Sequence, residues 1–417
     1  MHRLRDALSR PILVVTVIAI AAGYGQFGAV AALGDVATTF GHVVHNASIT
    51  EQAGLSGTVL GVGLAILRLA SLGGLPLAAL ADRLGRHRTL IAWTVLGLLA
   101  TILAAVSPSY WWFVAIFALG RPFLSASAAL SQVVVAELSR PDRRAMALAV
   151  VTGGYGLGAG INVLAHAALR GIAGFRVLFV TAAIPLALVV VLRKQFPEPT
   201  ERETLEPATK VRFGSVGSEH VVRLVEVLGL IFATSAVSSP ASSFVYLYAE
   251  NVVHLPKGIE SAMITVSALF GLGGLLLGRV VADRFGRRPA VGIGITAVGL
   301  AALVVYSGGK PLVVVGYSVG ILATGFLAPG GTALSNELFP TEIRASVAGW
   351  GIVAGVLGAV LGLVTFGALA DSAHSFEVAA LVTFLPIIPA LLLLLRLPET
   401  KGTMLEGTLG AEDLTGA

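Results

Sequence analysis

Long apolar runs, separated by short charged clusters, set the pattern of this chain. A helix that spans a bilayer needs about 20 mostly apolar residues, and twelve runs are of about that length. They cover residues 11–33, 55–81, 89–107, 110–136, 145–169, 175–195, 221–249, 259–282, 289–307, 311–336, 345–370 and 376–396. The pattern predicts twelve membrane-spanning helices, and the predicted fold class is an all-α membrane protein.

One polar stretch divides the predicted helices into two sets of six. The predicted organisation is an N-terminal half (1–196), a cytoplasmic linker (197–219), a C-terminal half (220–396) and a cytoplasmic tail (397–417). Lys and Arg favour cytoplasmic loops. With the N-terminus inside, 17 of the 28 Lys and Arg residues lie in cytoplasmic segments, three lie in outer segments and eight fall within the stated runs. Both termini are therefore expected on the cytoplasmic side of the cell membrane.

Three signatures of the first half return in the second half, 200 or 201 residues later. The first is 81–86 (ADRLGR), which returns as 282–287 (ADRFGR). The second is Glu137-Leu138 with Arg144-Ala145, which returns as Glu337-Leu338 with Arg344-Ala345. The third is Phe196-Pro197-Glu198, which returns as Leu397-Pro398-Glu399. Three matches in register indicate a duplication. Parallel repeats of six helices are a transporter architecture, in which the substrate site lies between the halves near the bilayer midplane.

The loop 82–86 (DRLGR), between the second and third predicted helices, resembles the signature loop of the major facilitator superfamily. Its copy lies between helices 8 and 9, although Ala78 and Arg279 stand where the family has a leading Gly. The segments 337–345 and 397–402 resemble the sugar-porter and organic-ion branches. The resemblance covers essentially the whole chain. It implies two pseudo-symmetric six-helix halves and secondary transport by alternating access.

The resemblance also implies a cytoplasmic gate at the repeated loops. Asp82 and Asp283 are expected where a helix of the opposite half begins, and an anion near a helix N-terminus gains about 0.3–1 kcal/mol. The alternative is that the basic residues only anchor the topology. The predicted gating residues are Asp82, Arg83, Arg86, Glu137, Arg144, Asp283, Arg284, Arg287, Glu337 and Arg344.

Two arginines, Arg68 and Arg121, lie in the middle of predicted helices of the first half. Charges at this depth are costly and usually functional. No Asp or Glu lies near the middle of any predicted helix, so a substrate anion is the favoured partner, because guanidinium groups bind carboxylate or phosphate bidentately. The alternative is that each arginine binds backbone carbonyls or reaches toward water.

Polar residues at helical spacing mark faces that should point into a bundle or an aqueous cavity, because a lipid-facing polar stripe is costly. The family places helices 1, 4, 7 and 10 at its cavity. Interhelical hydrogen bonding is the alternative role for the individual serines. The predicted substrate-binding residues are Arg68, Arg121, Ser125, Gln132, Tyr24, Gln26, Tyr155, Asn162, Ser239, Ser242, Tyr246, Tyr317 and Thr324. Gly158 and Gly160 are expected to allow close helix packing.

Asp35 and His166, near the outer ends of helices 1 and 5, are the candidates for a coupling proton, because histidine is the side chain that titrates near neutrality. A solvated or satisfied histidine is the alternative. The segment 23–26 (GYGQ) resembles the helix 1 segment in which proton-coupled sugar porters carry Gly-Tyr-Asp. Gly25 stands in the acidic position, so that family's proton residue is not carried over.

Several functions lack their sequence signature. The chain has no Cys, no phosphate-binding loop and no His-Glu-x-x-His pair, so we expect no enzyme activity, no cofactor and no metal. The net charge is +5, and the basic residues lie mainly in short clusters between the apolar runs. This distribution predicts a lipid bilayer, and not a nucleic acid, as the partner. The leading hypothesis is a monomeric transporter of a small organic solute, with an anion favoured and a proton or counter-ion as coupling partner. The alternatives are a proton-driven drug antiporter, which should carry a midplane carboxylate, and a polytopic receptor or channel.

Overall fold

A computed structural model describes residues 10–42, 54–139, 144–169, 174–193 and 217–402. Within these ranges twelve helices are long and apolar enough to cross a membrane, which confirms the predicted fold class. Labelled α1 to α12 in chain order, they are Arg10–Ala31, Gly57–Leu84, Arg86–Val106, Tyr110–Leu138, Met146–Leu169, Gly174–Leu192, His220–Val252, Gly258–Phe285, Arg287–Tyr306, Lys310–Glu337, Glu342–Ser372 and Phe376–Arg396.

The helix boundaries follow local chemistry. Ser56 and Ser109 cap α2 and α4, because each hydroxyl accepts a hydrogen bond from a backbone N–H three residues later. Gly85 separates α2 from α3 at a φ of 93°, and Gly286 separates α8 from α9 at a φ of 115°, values that favour glycine. The two repeated loops therefore turn in the same way.

Two helices differ from their predicted form. After α1 ends at Ala31, the chain continues as the short helix Leu33–Phe40, which carries Asp35. The last residues of α7, Tyr248–Val252, widen into a π-helix, a feature that is frequent at functional sites. Neither irregularity interrupts the apolar pattern, so hydropathy alone did not indicate them.

The chain forms two compact units. The first contains Met1–Ala208, Glu250–Val252 and Pro256–Ser261, and the second contains Thr209–Ala249, Val253–Leu255 and Ala262–Ala417. The end of α7 and the start of α8 thus belong with the first six helices. The sequence assigned these short segments to the C-terminal half, and that predicted division stays a prediction.

In the first unit, α1 and α5 pack backbone against backbone. A Cβ atom on Gly23 would overlap the carbonyl oxygen of Tyr155, and a Cβ atom on Gly158 would overlap that of Ile20. Close packing at Gly158 is therefore confirmed. The same expectation for Gly160 is wrong, because a Cβ atom there would have no neighbour within 4 Å in the described part of the chain.

The second unit repeats this packing with its own residues. On α11, Gly358 and Gly362 lie against the backbone of Phe232 and Ala236 on α7. The helix pair α7 and α11 thus corresponds to α1 and α5. Small residues of this kind let membrane helices approach closely and gain van der Waals contact.

Candidate functional site

Arg121 is the central charged residue of the first unit. It lies on α4 directly before Pro122 and is 9% exposed. Its Nη1 donates a hydrogen bond of 2.6 Å to the backbone carbonyl of Gln26 on α1. This bond agrees in part with the alternative interpretation, in which the arginine binds backbone carbonyls. The Nε of Arg121 is also buried and has no hydrogen-bond partner among the described residues.

Two further predicted residues complete a polar cluster with Arg121. The Tyr155 hydroxyl on α5 donates a hydrogen bond of 2.9 Å to Gln26 Oε1. Arg68 on α2 lies close enough to Arg121 and Tyr155 to interact with both electrostatically. Four helices therefore bring Gln26, Arg68, Arg121 and Tyr155 together, which sequence spacing predicted only helix by helix. We call these four residues the arginine cluster.

The arginine cluster carries two positive charges and no acid. Within the described ranges, neither Arg68 nor Arg121 has a carboxylate at ion-pair distance. Buried charges are normally paired. The cluster therefore has the composition of a binding site for an anionic group.

Other predicted residues of the first unit lie elsewhere. Tyr24 faces α6, where its hydroxyl is 2.5 Å from Thr181 Oγ1. Ser125 packs against Gly74 of α2, and Gln132 Nε2 donates to the Thr152 hydroxyl at 3.1 Å. None of these contacts joins Tyr24, Ser125 or Gln132 to the arginine cluster, and their predicted role in substrate binding stays a prediction.

The hydroxyl residues predicted in the second unit partly meet. The hydroxyls of Tyr246 and Tyr317 are 2.8 Å apart, and Ser242, Tyr317 and Thr324 line one small cavity. Ser242 donates to the carbonyl of Ser239, and Thr324 donates to that of Gly320. These bonds are the interhelical or local type that the alternative interpretation favours.

A larger cavity, of about 480 Å³, lies within the second unit and was not predicted. Its walls come from α7, α9, α10 and α11 and are mostly apolar. The polar residues that line it include Thr234, Ser235, Asn336 and Arg344. Of these, the sequence had singled out Arg344, as a gating residue.

Asp35 and His166, predicted separately, are in contact. Asp35 Oδ2 lies 3.0 Å from His166 Nε2, and Glu250 Oε1 lies 3.5 Å from His166 Nδ1. His166 and Glu250 are buried, and Asp35 is partly exposed. Sequence reasoning missed Glu250, because it lies at the polar end of α7 where a solvated boundary residue is expected. We call these three residues the histidine cluster.

The repeated loops carry matching ion pairs within each unit. Arg86 binds Asp82 at 2.8 Å and also binds Glu137. Arg287 binds Asp283 at 3.2 Å and Glu337 at 3.2 Å. Arg144 and Arg344 donate to backbone carbonyls near the ends of α4 and α10. Arg83 and Arg284 are exposed.

The model of the Major Facilitator Superfamily matches residues 13–282 and, a second time, residues 259–410. The chain belongs to the major facilitator superfamily. It is therefore a multi-pass membrane transporter of small solutes and not an enzyme.

Curated relatives in the superfamily span most of the chain. A glycine betaine, proline, ectoine and pipecolic acid transporter of Dickeya dadantii is 26% identical over 83% of this chain and 76% of its own length. A proline/betaine transporter of Escherichia coli is 25% identical over 83% of this chain and 76% of its own. A cis,cis-muconate transport protein of Acinetobacter baylyi is 25% identical over 82% of this chain and 85% of its own length.

Solved superfamily structures share the fold. The inward-open xylose transporter XylE of E. coli superposes with a TM-score of 0.71 at 19% identity, covering 96% of this chain and 98% of that one. A D-xylose–proton symporter gives a TM-score of 0.70 at 20% identity, covering 95% and 99%. Identities at this level show a common fold and leave the solute undetermined.

The superfamily tail segment at 397–402 caps α9 in this chain. Glu399 accepts hydrogen bonds from the backbone N–H groups of Arg287 at 2.8 Å and Arg288 at 3.1 Å, the first residues of α9. Burial raises the pKa of Glu399, but these bonds, with those from Thr400 and Lys401, outweigh it and hold the pKa below its usual value. A depressed pKa means that the stabilisation is present above the unfolded pKa and is lost as pH falls through the folded one.

We expect Glu399→Gln to lower the melting temperature of the purified protein by about 1–3 °C at pH 7, because a capping interaction contributes about 1 kcal/mol. The difference from wild type should shrink as pH falls below about 4. Glu342→Gln is the control, since Glu342 is an exposed first-turn carboxylate of α11. Equal shifts in both variants would mean that the hydrogen bonds of Glu399 contribute nothing beyond helix-dipole charge.

Proposed function

We propose that this transporter moves a small solute bearing a carboxylate group, by alternating access, and that the arginine cluster binds that carboxylate. The observation that carries the proposal is the buried Arg121 beside the partly buried Arg68, with no acidic partner for either in the described part of the chain. A solute carboxylate supplies the missing charge. The Nε of Arg121 is a buried donor that it can engage, in a charge-assisted bond.

The names of the relatives support this substrate class. Glycine betaine, proline, ectoine, pipecolic acid and cis,cis-muconate are the solutes named for them, and each carries at least one carboxylate group. The first four are also zwitterions. The neutral side chains of Gln26 and Tyr155 beside Arg121 suit the uncharged part of such a solute, because they can donate and accept hydrogen bonds.

The remaining sequence predictions form part of the same proposal. Both termini face the cytoplasm, and the loop ion pairs around Asp82 and Asp283 act as the cytoplasmic gate. The transporter works as a monomer, because the arginine cluster is contributed by one unit of one chain. The repeated arginines Arg86 and Arg287 hold the gate residues in position in their own units.

The proposal is tested by exchange in proteoliposomes without a pH gradient. We expect radiolabelled proline, betaine or muconate, loaded on one side, to exchange with the same solute on the other side. The matched controls are the methyl ester or amide of each solute, which removes the negative charge and keeps the shape. We expect exchange of the ester or amide to be at least about tenfold slower. Equal exchange of acid and ester would contradict a carboxylate site.

A further inference from the structure

The histidine cluster has an arrangement that suits one extra proton. A neutral imidazole has one N–H and one lone pair, whereas an imidazolium has two N–H groups. Carboxylate oxygens approach both ring nitrogens of His166. Asp35 Oδ2 lies 3.0 Å from Nε2, and Glu250 Oε1 lies 3.5 Å from Nδ1 without a hydrogen bond between them. Only the imidazolium, or a protonated carboxyl group, avoids placing a lone pair against a carboxylate oxygen. The geometry therefore offers one added proton a place between two hydrogen-bond acceptors.

Burial makes the charge of this cluster consequential. His166 is 2% exposed and Glu250 is 3% exposed, and buried charges are costly unless they are paired. With both carboxylates ionised and His166 neutral, the cluster carries a charge of −2. Uptake of one proton from the adjoining aqueous side leaves −1. Because the groups interact, the proton belongs to the cluster rather than to one residue.

We propose that Asp35, His166 and Glu250 form a proton-binding site that couples solute transport to the proton gradient. The inference rests on the proposed function for the solute. It assigns the coupling proton to a place that the sequence indicated only in part, and it adds Glu250, which joins the first unit through the π-helical end of α7.

The scaffold of the first unit connects the proton site to the arginine cluster. Gln26 is on α1 and Asp35 is on the helix that continues it, while Tyr155 and His166 are both on α5. Tyr155 and His166 lie 11 residues apart, about 16 Å along the helix. Because α1 and α5 pack backbone against backbone, a shift of one helix pair moves both sites together.

Asn162 adds a polar group between the two sites. It lies one turn of α5 before His166, is 1% exposed, and its Oδ1 has no hydrogen-bond partner among the described residues. Tyr155, Asn162 and His166 share one face of α5. Polar groups thus follow this face from the arginine cluster to the histidine cluster.

Other charged groups at this end of the first unit do not replace the three. Arg176 on α6 donates to the carbonyls of Ala105 and Ser107 and lies against the Phe175 ring. Glu260, near the start of α8, is buried in the same unit and has contacts of its own. In the described part of the chain, Asp35 and Glu250 are the charged groups at ion-pair distance from His166.

A metal ion is the competing occupant, because one ligand atom from each residue lies within 4.8 Å of the others. However, a metal bonds to one nitrogen of an imidazole, and its other ligands must converge on the same side of that ring. Here the two carboxylates face different nitrogens of His166. A metal would therefore require one carboxylate to move to the other side.

The test compares gradient-driven accumulation with exchange, in proteoliposomes, for His166→Gln, Asp35→Asn and Glu250→Gln. We expect wild type to accumulate the solute when the side of entry is acidic, and solute addition to alkalinise that side. Each variant should lose at least about tenfold in accumulation ratio and lose the alkalinisation. Exchange without a gradient, which moves no net proton, should fall less than about threefold. The exposed residues His374 and Glu377 supply the controls His374→Gln and Glu377→Gln.

Two results overturn the proton site. Variants that accumulate solute as wild type does show that the cluster binds no coupling proton. Variants that lose exchange as completely as accumulation show a structural role. If wild type exchanges no carboxylate solute, the proposed function is contradicted instead. The histidine cluster is then tested by a second measurement, which does not depend on transport.

The second measurement is the melting temperature of the purified protein between pH 5 and 9, with and without ZnCl₂. We expect a pH-dependent step in wild type that is absent from His166→Gln and present in His374→Gln. The same step in His166→Gln overturns the proton site. Stabilisation by Zn²⁺ in wild type, lost in His166→Gln, identifies a metal site instead and overturns it as well.

Discussion

Arg121→Lys is expected to raise the KM for a carboxylate solute by about 10- to 100-fold. The guanidinium has five donors in a planar fork, and lysine retains the charge but loses the fork. A hydrogen bond to a charged group contributes about 1.5–3 kcal/mol, and each 1.4 kcal/mol corresponds to a factor of ten. Loss of the bond to the Gln26 carbonyl adds to the effect, because it also frees the position of Gln26.

The measurement is concentration-dependent exchange in proteoliposomes, with protein folding checked by monodispersity. Arg279→Lys is the matched control, because the Arg279 side chain is 76% exposed on α8 and pairs only loosely with Asp283, at 3.7 Å. The control should keep the wild-type KM. An unchanged KM in Arg121→Lys would falsify the assignment of the carboxylate to Arg121.

Gly158→Ala is expected to destabilise the first unit by about 1–3 kcal/mol, toward the upper end of that range. The new Cβ atom would overlap a backbone oxygen of Ile20, which cannot rotate away as a flexible side chain would. The α1–α5 pair must then separate. Because Tyr155 and Gln26 lie on these two helices, exchange activity should fall together with the melting temperature.

Gly156→Ala is the control on the same helix. A Cβ atom at Gly156 has no neighbour within 4 Å in the described structure, so the variant should be neutral or gain up to about 1 kcal/mol from helix propensity. The comparison uses melting temperatures in one detergent. If both variants behave alike, the close approach of α1 and α5 is not what stabilises this pair.

The helices were predictable because bilayer thickness imposes a length and an apolar composition on each of them. All twelve predicted spans match helices, and the repeat was visible because the DRLGR loop is polar and specific. The π-helical end of α7 was not predictable. Glu250 within it lies 3.5 Å from His166, and no local pattern encodes a contact between residues 84 positions apart.

The sequence predicted the types of residue in the candidate site better than it predicted which individual residues belong to it. Arg121 and Arg68 stood out because charge at mid-membrane is rare. Tyr24 and Gln26 are two residues apart on one helix, yet Tyr24 faces Thr181 and Gln26 faces Arg121. Which of them belongs to the cluster depends on the rotation of α1 about its axis, which its almost uniformly apolar sequence does not fix.

The open glycine face of α5 has a practical consequence for spectroscopy. Gly153, Gly156 and Gly160 have no neighbour that a Cβ atom would meet in the described part of the chain, and the chain contains no Cys. A single cysteine at Gly156 or Gly160 would therefore be a unique attachment point for a nitroxide or a fluorophore, without background labelling. A probe there would report movements of the helix that carries both Tyr155 and His166 while leaving the α1–α5 contact intact.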